Sequence, residues 1–274
     1  MTFAIVGLGL MGGSFSKSLK KYNIASKIYG YDLNKNHQKE ALELSLVDEL
    51  ITINNINKCE VIILTIPVDA IISLLPSLKH CTNSTIIDFG STKELIVKNI
   101  PNNIKKNFIP AHPMTGTEKF GPKAAIDNLY KNKTMVLCDL EKCDEKHKLR
   151  AIEIFEKIGM NLSFMGSKEH DIHACYISHL PHVLSFALAS TVMNHEDPEH
   201  IISLAAGGFK DMSRIAKSSP NMWTEVFRQN RNNLLESIQI YEKELKSMKN
   251  MLKDEKYDDI YLWIQKANSL HKIL

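Results

Sequence analysis

The 274-residue chain is short of several things, and each shortage removes a class of function. No stretch approaches 18 uninterrupted apolar residues, so none of it reads as a membrane span. The five cysteines, Cys59, Cys81, Cys138, Cys143 and Cys175, are odd in number and contain no C-x-x-C pair. They read as reduced thiols of a cytoplasmic protein, not as a disulfide framework. Neither sign of charge dominates: 34 Lys and Arg against 31 Asp and Glu leave a net charge of +3, which gives no pull toward nucleic acid. Repeats and low-complexity stretches are absent, and the N-terminus lacks the basic n-region of a signal peptide. Arginine is scarce. Arg214, Arg228 and Arg231 lie in one C-terminal stretch and Arg150 stands apart. Arginine suits bidentate carboxylate recognition, so the clustering hints at an anion site. For Arg228 and Arg231 a solvated helix face is the better account.

What is present concentrates at the start. An apolar run, Phe3-Ala4-Ile5-Val6, leads into Gly7-Leu8-Gly9-Leu10-Met11-Gly12-Gly13-Ser14, then a helical stretch, then Lys27-Ile28-Tyr29-Gly30-Tyr31-Asp32. G-x-G-x-x-G alone is weak. Between a strand and a helix, with an acid roughly 20 residues on, it is a dinucleotide signal. Gly7 permits the tight turn, Gly9 lets backbone approach a pyrophosphate, and Gly12 lets the helix pack close on the strand. Leu10 and Met11 open the helix, whose free N–H groups favour phosphate. Asp32 can accept from ribose hydroxyls and would repel a 2′-phosphate, so NAD is expected over NADP, with Lys35 near enough to soften the preference.

Up to residue 166, strand and helix patterns alternate, which argues for an α/β, doubly wound, Rossmann-type sheet. Strands are expected at 59–66, 85–89, 107–111, 134–138 and 161–164, with helices at 68–79 and 146–158. Beyond residue 166 no strand run appears. Residues 170–193 read as one long helix, Ser219-Pro220 as a capped start of a helix running to about Leu252, and 257–270 as a last helix. The expected division is a dinucleotide-binding domain, 1–166, and an all-helical substrate and dimerisation domain, 167–274. Its long apolar helices would bury poorly alone, so a homodimer built on them is expected.

Ligands of open α/β sheets bind at the carboxyl ends of the strands. Thr65 and Pro67 end one strand and are expected near the nicotinamide. Ser91 and His112 follow the next two strands and would face one crevice. A histidine there suits proton removal from an alcohol, because its pKa lies near neutrality. Of the other histidines, His37, His80, His147, His195, His200 and His271 sit in surface helix or loop contexts. His179 and His182, three apart, share a helix face that Pro181 would kink; no carboxylate or cysteine completes a metal set, so no metal is expected. Arg214 follows a glycine pair, Gly207-Gly208, and is favoured as a carboxylate holder over a salt bridge to Asp211.

Taken together, G-L-G-L-M-G-G-S at 7–14, D-F-G-S-T-K at 88–93, H-P-M-T-G-T-E at 112–118, S-H-L-P-H at 178–182 and G-G-F-K-D-M-S-R at 207–214 resemble the prephenate dehydrogenases, including their arogenate-using relatives. The resemblance covers almost the whole chain. It implies oxidative decarboxylation: a hydride leaves C4 of prephenate, His112 accepts the C4-hydroxyl proton, and loss of CO₂ gives 4-hydroxyphenylpyruvate, the precursor of tyrosine. It also implies that Ser91 bonds this hydroxyl near the nicotinamide and that Arg214 holds a substrate carboxylate. His182, more than His179, would reach substrate, and Thr117, Glu118 and Trp223 would line or gate the pocket. Neither a fused chorismate mutase nor an appended regulatory domain is expected, so tyrosine feedback would act at the active site or the dimer. Thr115 replaces the family's usual alanine without consequence for catalysis. The alternatives are an arogenate dehydrogenase, a β-hydroxyacid or imine reductase, which the lack of an obvious lysine in the first helix after 166 disfavours, and a non-catalytic NAD-binding regulator.

Overall fold

Strand β1 (Thr2–Val6) sends alternate side chains into two separate cores. Phe3 and Ile5 enter one, Ala4 and Val6 the other, and all four are buried. A strand covered on both faces needs this unbroken apolar run. The computed structural model describes residues 1–273, and Leu274, the last residue of the expected second domain, lies outside them. The other strands are β2 (Lys27–Tyr31), β3 (Glu49–Leu50), β4 (Val61–Leu64), β5 (Thr85–Asp88), β6 (Phe108–Pro113), β7 (Thr134–Cys138) and β8 (Asn161–Met165). They form one sheet in the order β3-β2-β1-β4-β5-β6-β7-β8. Every neighbouring pair is parallel except β6 and β7. The reversal at β7 leaves no mark in the sequence, because a buried strand has the same pattern in either direction.

Helices α1 (Leu10–Lys21), α2 (Lys35–Glu43), α3 (Val68–Leu74), α4 (Glu94–Asn99) and α5 (Glu145–Ile158) link the strands. Residues of α1 and α5 enter one core, where Phe15 meets Phe89 edge to face at 4.9 Å; residues of α3 and α4 enter the other. His147, expected at the surface, is buried on α5 with its Nδ1 2.8 Å from the Thr85 hydroxyl.

The single helix expected over 170–193 is three pieces: α6 (Ser167–Ala174), a π-helical turn (Cys175–His179) and α7 (Leu180–His195). The interruption is this turn. Pro181 falls in the first turn of α7, directly after the π turn, and donates no backbone hydrogen bond back into it. Two short helices follow, α8 (Pro198–Leu204) and α9 (Gly207–Ser213). Ser219 caps α10 (Pro220–Gln229) by accepting from the Met222 N–H. The helix expected to run on to Leu252 breaks at Asn230, whose side-chain amide is spent on other partners, and resumes as α11 (Arg231–Lys253). Helix α12 (Tyr257–Asn268) is the last.

The chain forms two compact units, Met1–Asn230 and Arg231–Leu274. In the second, α11 and α12 are tied by a hydrogen bond from the Trp263 indole to Glu244 at 3.0 Å. No helix among the described residues is long and apolar enough to cross a membrane.

Candidate active site

The strand order reverses between β1 and β4, the switch point where such sheets bind ligands. The glycine turn lies there, and its three glycines do three different things. Gly7 has φ +100°, and a β-carbon on it would lie 2.6 Å from the Thr65 carbonyl oxygen. On Gly12 a β-carbon would collide with the Gly7 carbonyl and come within 2.6 Å of the Thr65 hydroxyl, so this position is filled by protein. On Gly9 it would meet nothing nearer than the Gly121 nitrogen at 3.9 Å. That opening faces the N-terminus of α1, which has no side-chain cap and no acid in its first turn. An open cradle at an uncapped helix N-terminus fits a pyrophosphate. Thr65, at the end of β4, donates to the carbonyls of Gly7 at 2.7 Å and Val6 at 3.1 Å, binding the two strand ends together. Pro67 caps α3 just beyond. Asp32 accepts from the Leu8 N–H at 2.8 Å and the Asn34 N–H at 2.8 Å. The His37 ring is 3.4 Å from its carboxylate, while Lys35 bonds Gln38 on its own helix.

Strands β5 and β6 pair up to Asp88 and Pro110, so His112 stands level with Gly90, next to Ser91. The backbone before His112 is clamped. Asp88 and Lys93 form a fully buried ion pair; Asp88 accepts from the Ala111 N–H at 3.3 Å and Lys93 donates to the Ala111 carbonyl at 2.7 Å. Burial pushes the Asp88 carboxyl up, against the pull of the Lys93 ammonium. The ring of His112 is held at one nitrogen: its Nδ1 lies 2.8 Å from His170 Nε2, and His170 Nδ1 lies 2.8 Å from an Asp171 oxygen. Burial first, and then the neighbouring His170, Lys93 and His179 side chains, which oppose a further positive charge, hold His112 well below the usual imidazole range. It is therefore neutral at neutral pH.

The facing wall comes from α7, α10 and the segment after α9. His182 donates from Nδ1 to the Ser178 carbonyl at 2.9 Å, leaving Nε2 free, and stacks on Trp223 at 3.6 Å. Trp223 is buried, yet its indole N–H has no partner among the described residues. His179 is buried; its Nδ1 lies 3.0 Å from the Asn230 amide, and burial brings it down to about 4. The same Asn230 amide donates to the Asp171 carbonyl at 2.7 Å, so the two walls share one polar chain. Arg214 is exposed and forms no ion pair with Asp211; burial lowers His182, and Arg214 lies close enough to add to that. Arg228 does pair, with Asp69.

The fold does not bring every expected residue to this group. Thr117 and Glu118 sit on the exposed loop after β6, where Thr117 accepts from the Lys119 N–H at 3.2 Å and Glu118 has no side-chain partner among the described residues. Conversely, His170, Asp171 and Asn230 carry much of the geometry and were missed. Their only sequence signal is a histidine beside an aspartate, which is common on solvated helices. Lys93 and Asp88 lie in the D-F-G-S-T-K run, where nothing local marks a role. Among the described residues no three His, Cys, Asp or Glu gather as metal ligands.

A doubly wound sheet with an open glycine cradle at its switch point, and a neutral imidazole three strands away at the same carboxyl edge of the sheet, defines a dinucleotide-dependent oxidoreductase. The family is narrower. Residues 15–163 match the nucleotide-binding domain of prephenate dehydrogenase and residues 166–266 its dimerization domain. The chain belongs to the prephenate dehydrogenase family, whose members are NAD-dependent oxidoreductases. It is 29% identical to prephenate dehydrogenase of Bacillus subtilis over 97% of this chain and 74% of that protein. It is 28% identical to cyclohexadienyl dehydrogenase of Zymomonas mobilis over 93% and 89% respectively. A crystal structure of the A. aeolicus prephenate dehydrogenase with hydroxyphenyl propionate and NAD⁺ superposes with a TM-score of 0.92 at 33% identity, covering 99% of this chain and 97% of that one.

Proposed function

We propose that the chain oxidatively decarboxylates prephenate to 4-hydroxyphenylpyruvate with NAD, His112 serving as the base. One observation carries this reading: a neutral imidazole, held by a single ring nitrogen, lies level with the Gly90-Ser91 turn at the same carboxyl edge of the sheet as the glycine cradle. The A. aeolicus relative, with a phenolic acid and NAD⁺ bound, supports it.

Gly7, Gly9, Leu10, Met11 and Gly12 would hold the pyrophosphate, Asp32 the ribose, and Thr65, Pro67 and Ser91 the nicotinamide half. When bound, the nicotinamide supplies the hydride acceptor. His112 takes the C4-hydroxyl proton as that carbon is oxidised, and Ser91 orients the same hydroxyl. The bond from C1 to its carboxylate then breaks, CO₂ leaves, and the bonding pair completes the aromatic ring. Arg214, exposed and without a carboxylate of its own, takes a substrate carboxylate. His182 offers a free Nε2 beside it, whereas His179 is committed to Asn230 and shapes the pocket floor. Trp223 forms a side wall, and Thr117 and Glu118 border the entrance from the loop.

Arogenate, which differs in carrying an amino group where prephenate has a keto group, is the second reading. It is favoured by the relative named cyclohexadienyl dehydrogenase. We further propose a domain boundary at 166/167 and a cytoplasmic homodimer joined through the C-terminal helices. The dimerization-domain match and the exposed Ile202 and Leu204 support the dimer. NADH or NADPH formation measured with each substrate, with and without tyrosine, tests the reading. Turnover of prephenate with NAD is expected; turnover of arogenate alone would favour the second reading, and turnover of neither would overturn both.

A further inference from the structure

We propose that His170, backed by Asp171, is a positioning residue that fixes the tautomer of His112. The inference rests on the base role given to His112 above. His170 and Asp171 lie on α6, 58 and 59 residues from His112, and both are 2% exposed.

The hydrogen-bond inventory decides which proton sits where. The Asp171 carboxylate accepts from the Lys93 N–H at 2.7 Å and the Glu94 N–H at 2.9 Å. Both are fixed backbone donors, so Asp171 is held as an acceptor. The His170 Nδ1 that faces the same oxygen at 2.8 Å must therefore be the donor. With Nδ1 as its one N–H, His170 presents the lone pair of Nε2, and the group facing it among the described residues is His112 Nδ1 at 2.8 Å. His112 Nδ1 carries the hydrogen and donates it. The lone pair of His112 is left on Nε2, the nitrogen not committed to protein, which is where a substrate proton would be taken.

The arrangement has a second effect. When His112 accepts a proton it becomes a cation in a pocket that already holds Lys93. The positive charge then rests, through His170, against Asp171. A carboxylate orienting a base at its far nitrogen is the logic of a catalytic triad, here with one imidazole inserted. Asp171 also anchors the first turn of α4 through Lys93 and Glu94, so its replacement would disturb structure as well as protonation. His170 makes the cleaner target.

Nitrogen-15 NMR of the histidine side chains reads the tautomer directly and needs no turnover. In the wild-type protein His112 is expected as the Nδ1–H form at neutral pH; an Nε2–H form would overturn the proposal. In His170→Met, which cannot accept a hydrogen bond of this strength, that tautomer preference is expected to vanish. With prephenate or arogenate, kcat of His170→Met is expected to fall about 10²-fold or more, within the range a positioned base supplies, while KM and NAD affinity stay near wild type. His170→Gln, whose amide oxygen can accept from Nδ1, should recover most of the loss and keeps the test decisive should the methionine variant not fold. A methionine variant with undiminished kcat, or a glutamine variant no better than it, would overturn the role. If the wild-type protein turns over neither substrate, the proposed function fails while the tautomer measurement still decides this inference.

Discussion

The two walls of the crevice are built on opposite terms. On the sheet side the groups that hold His112 are spoken for: Asp88 and Lys93 are fully buried against each other, and His170 and Asp171 have their hydrogen bonds assigned. On the helical side groups are left over among the described residues: Arg214 without an anion, His182 with a free Nε2, Trp223 with an unused N–H. Buried polar groups cost free energy unless satisfied, so a satisfied wall is a fixed one and holds a protonation state. A wall with spare donors is ready to receive an anion.

The contrast is broken most directly at His112. His112→Asn should lower kcat by about 10²–10⁴-fold, the contribution of a positioned base, with substrate affinity little changed; near-normal kcat would remove the base from the scheme. Because the folded environment lowers its pKa, the neutral form persists into acid, and the acid limb of wild-type kcat/KM should lie below pH 6.5. Next in size is Lys93→Met. It leaves the Asp88 carboxylate buried without its cation and should cost about 3–5 kcal/mol in chemical denaturation; a smaller loss would mean that the sheet wall is less committed than described. On the open wall, Arg214→Ala should cost roughly 1.5–3 kcal/mol of substrate binding, seen in KM rather than in kcat or stability. The glycine turn carries the same contrast in miniature. Gly12→Ala should cost about 1–3 kcal/mol of stability, whereas Gly9→Ala should leave stability within about 0.5 kcal/mol and raise KM for NAD. The smallest effect is expected of Asp32→Ala, a relaxed preference for NAD over NADP; no change would pass that role to another residue.

The glycine turn was readable because everything it needs lies within 32 residues, and each glycine has a local reason. His112 was readable because it ends a strand. Its partners were not, since Asp171 reaches it only through a fold that sets residues 93, 112, 171 and 230 side by side, and no local pattern encodes that meeting. The direction of β7 was hidden because burial on both faces erases any mark of orientation. The π turn at 175–179 was hidden because an apolar stripe passes through it unchanged. His147 was misplaced at the surface because the amphipathic pattern of α5 gave no warning of its bond to Thr85.

The reversed strand has one more effect. Without β7 and β8, His112 would lie on the rim of the sheet, where unpaired backbone can zip onto another chain. With them, His112 is paired to Val136 and the rim moves outward by two strands, roughly 10 Å. The new rim, β8, carries Phe164 at 57% exposure; the opposite rim, β3, is two residues long and carries the charge of Glu49. The hazard of an open edge has thus been shifted away from the chemistry, and any tendency of this protein to self-associate through backbone pairing is confined to a strand where it would not touch the reacting groups.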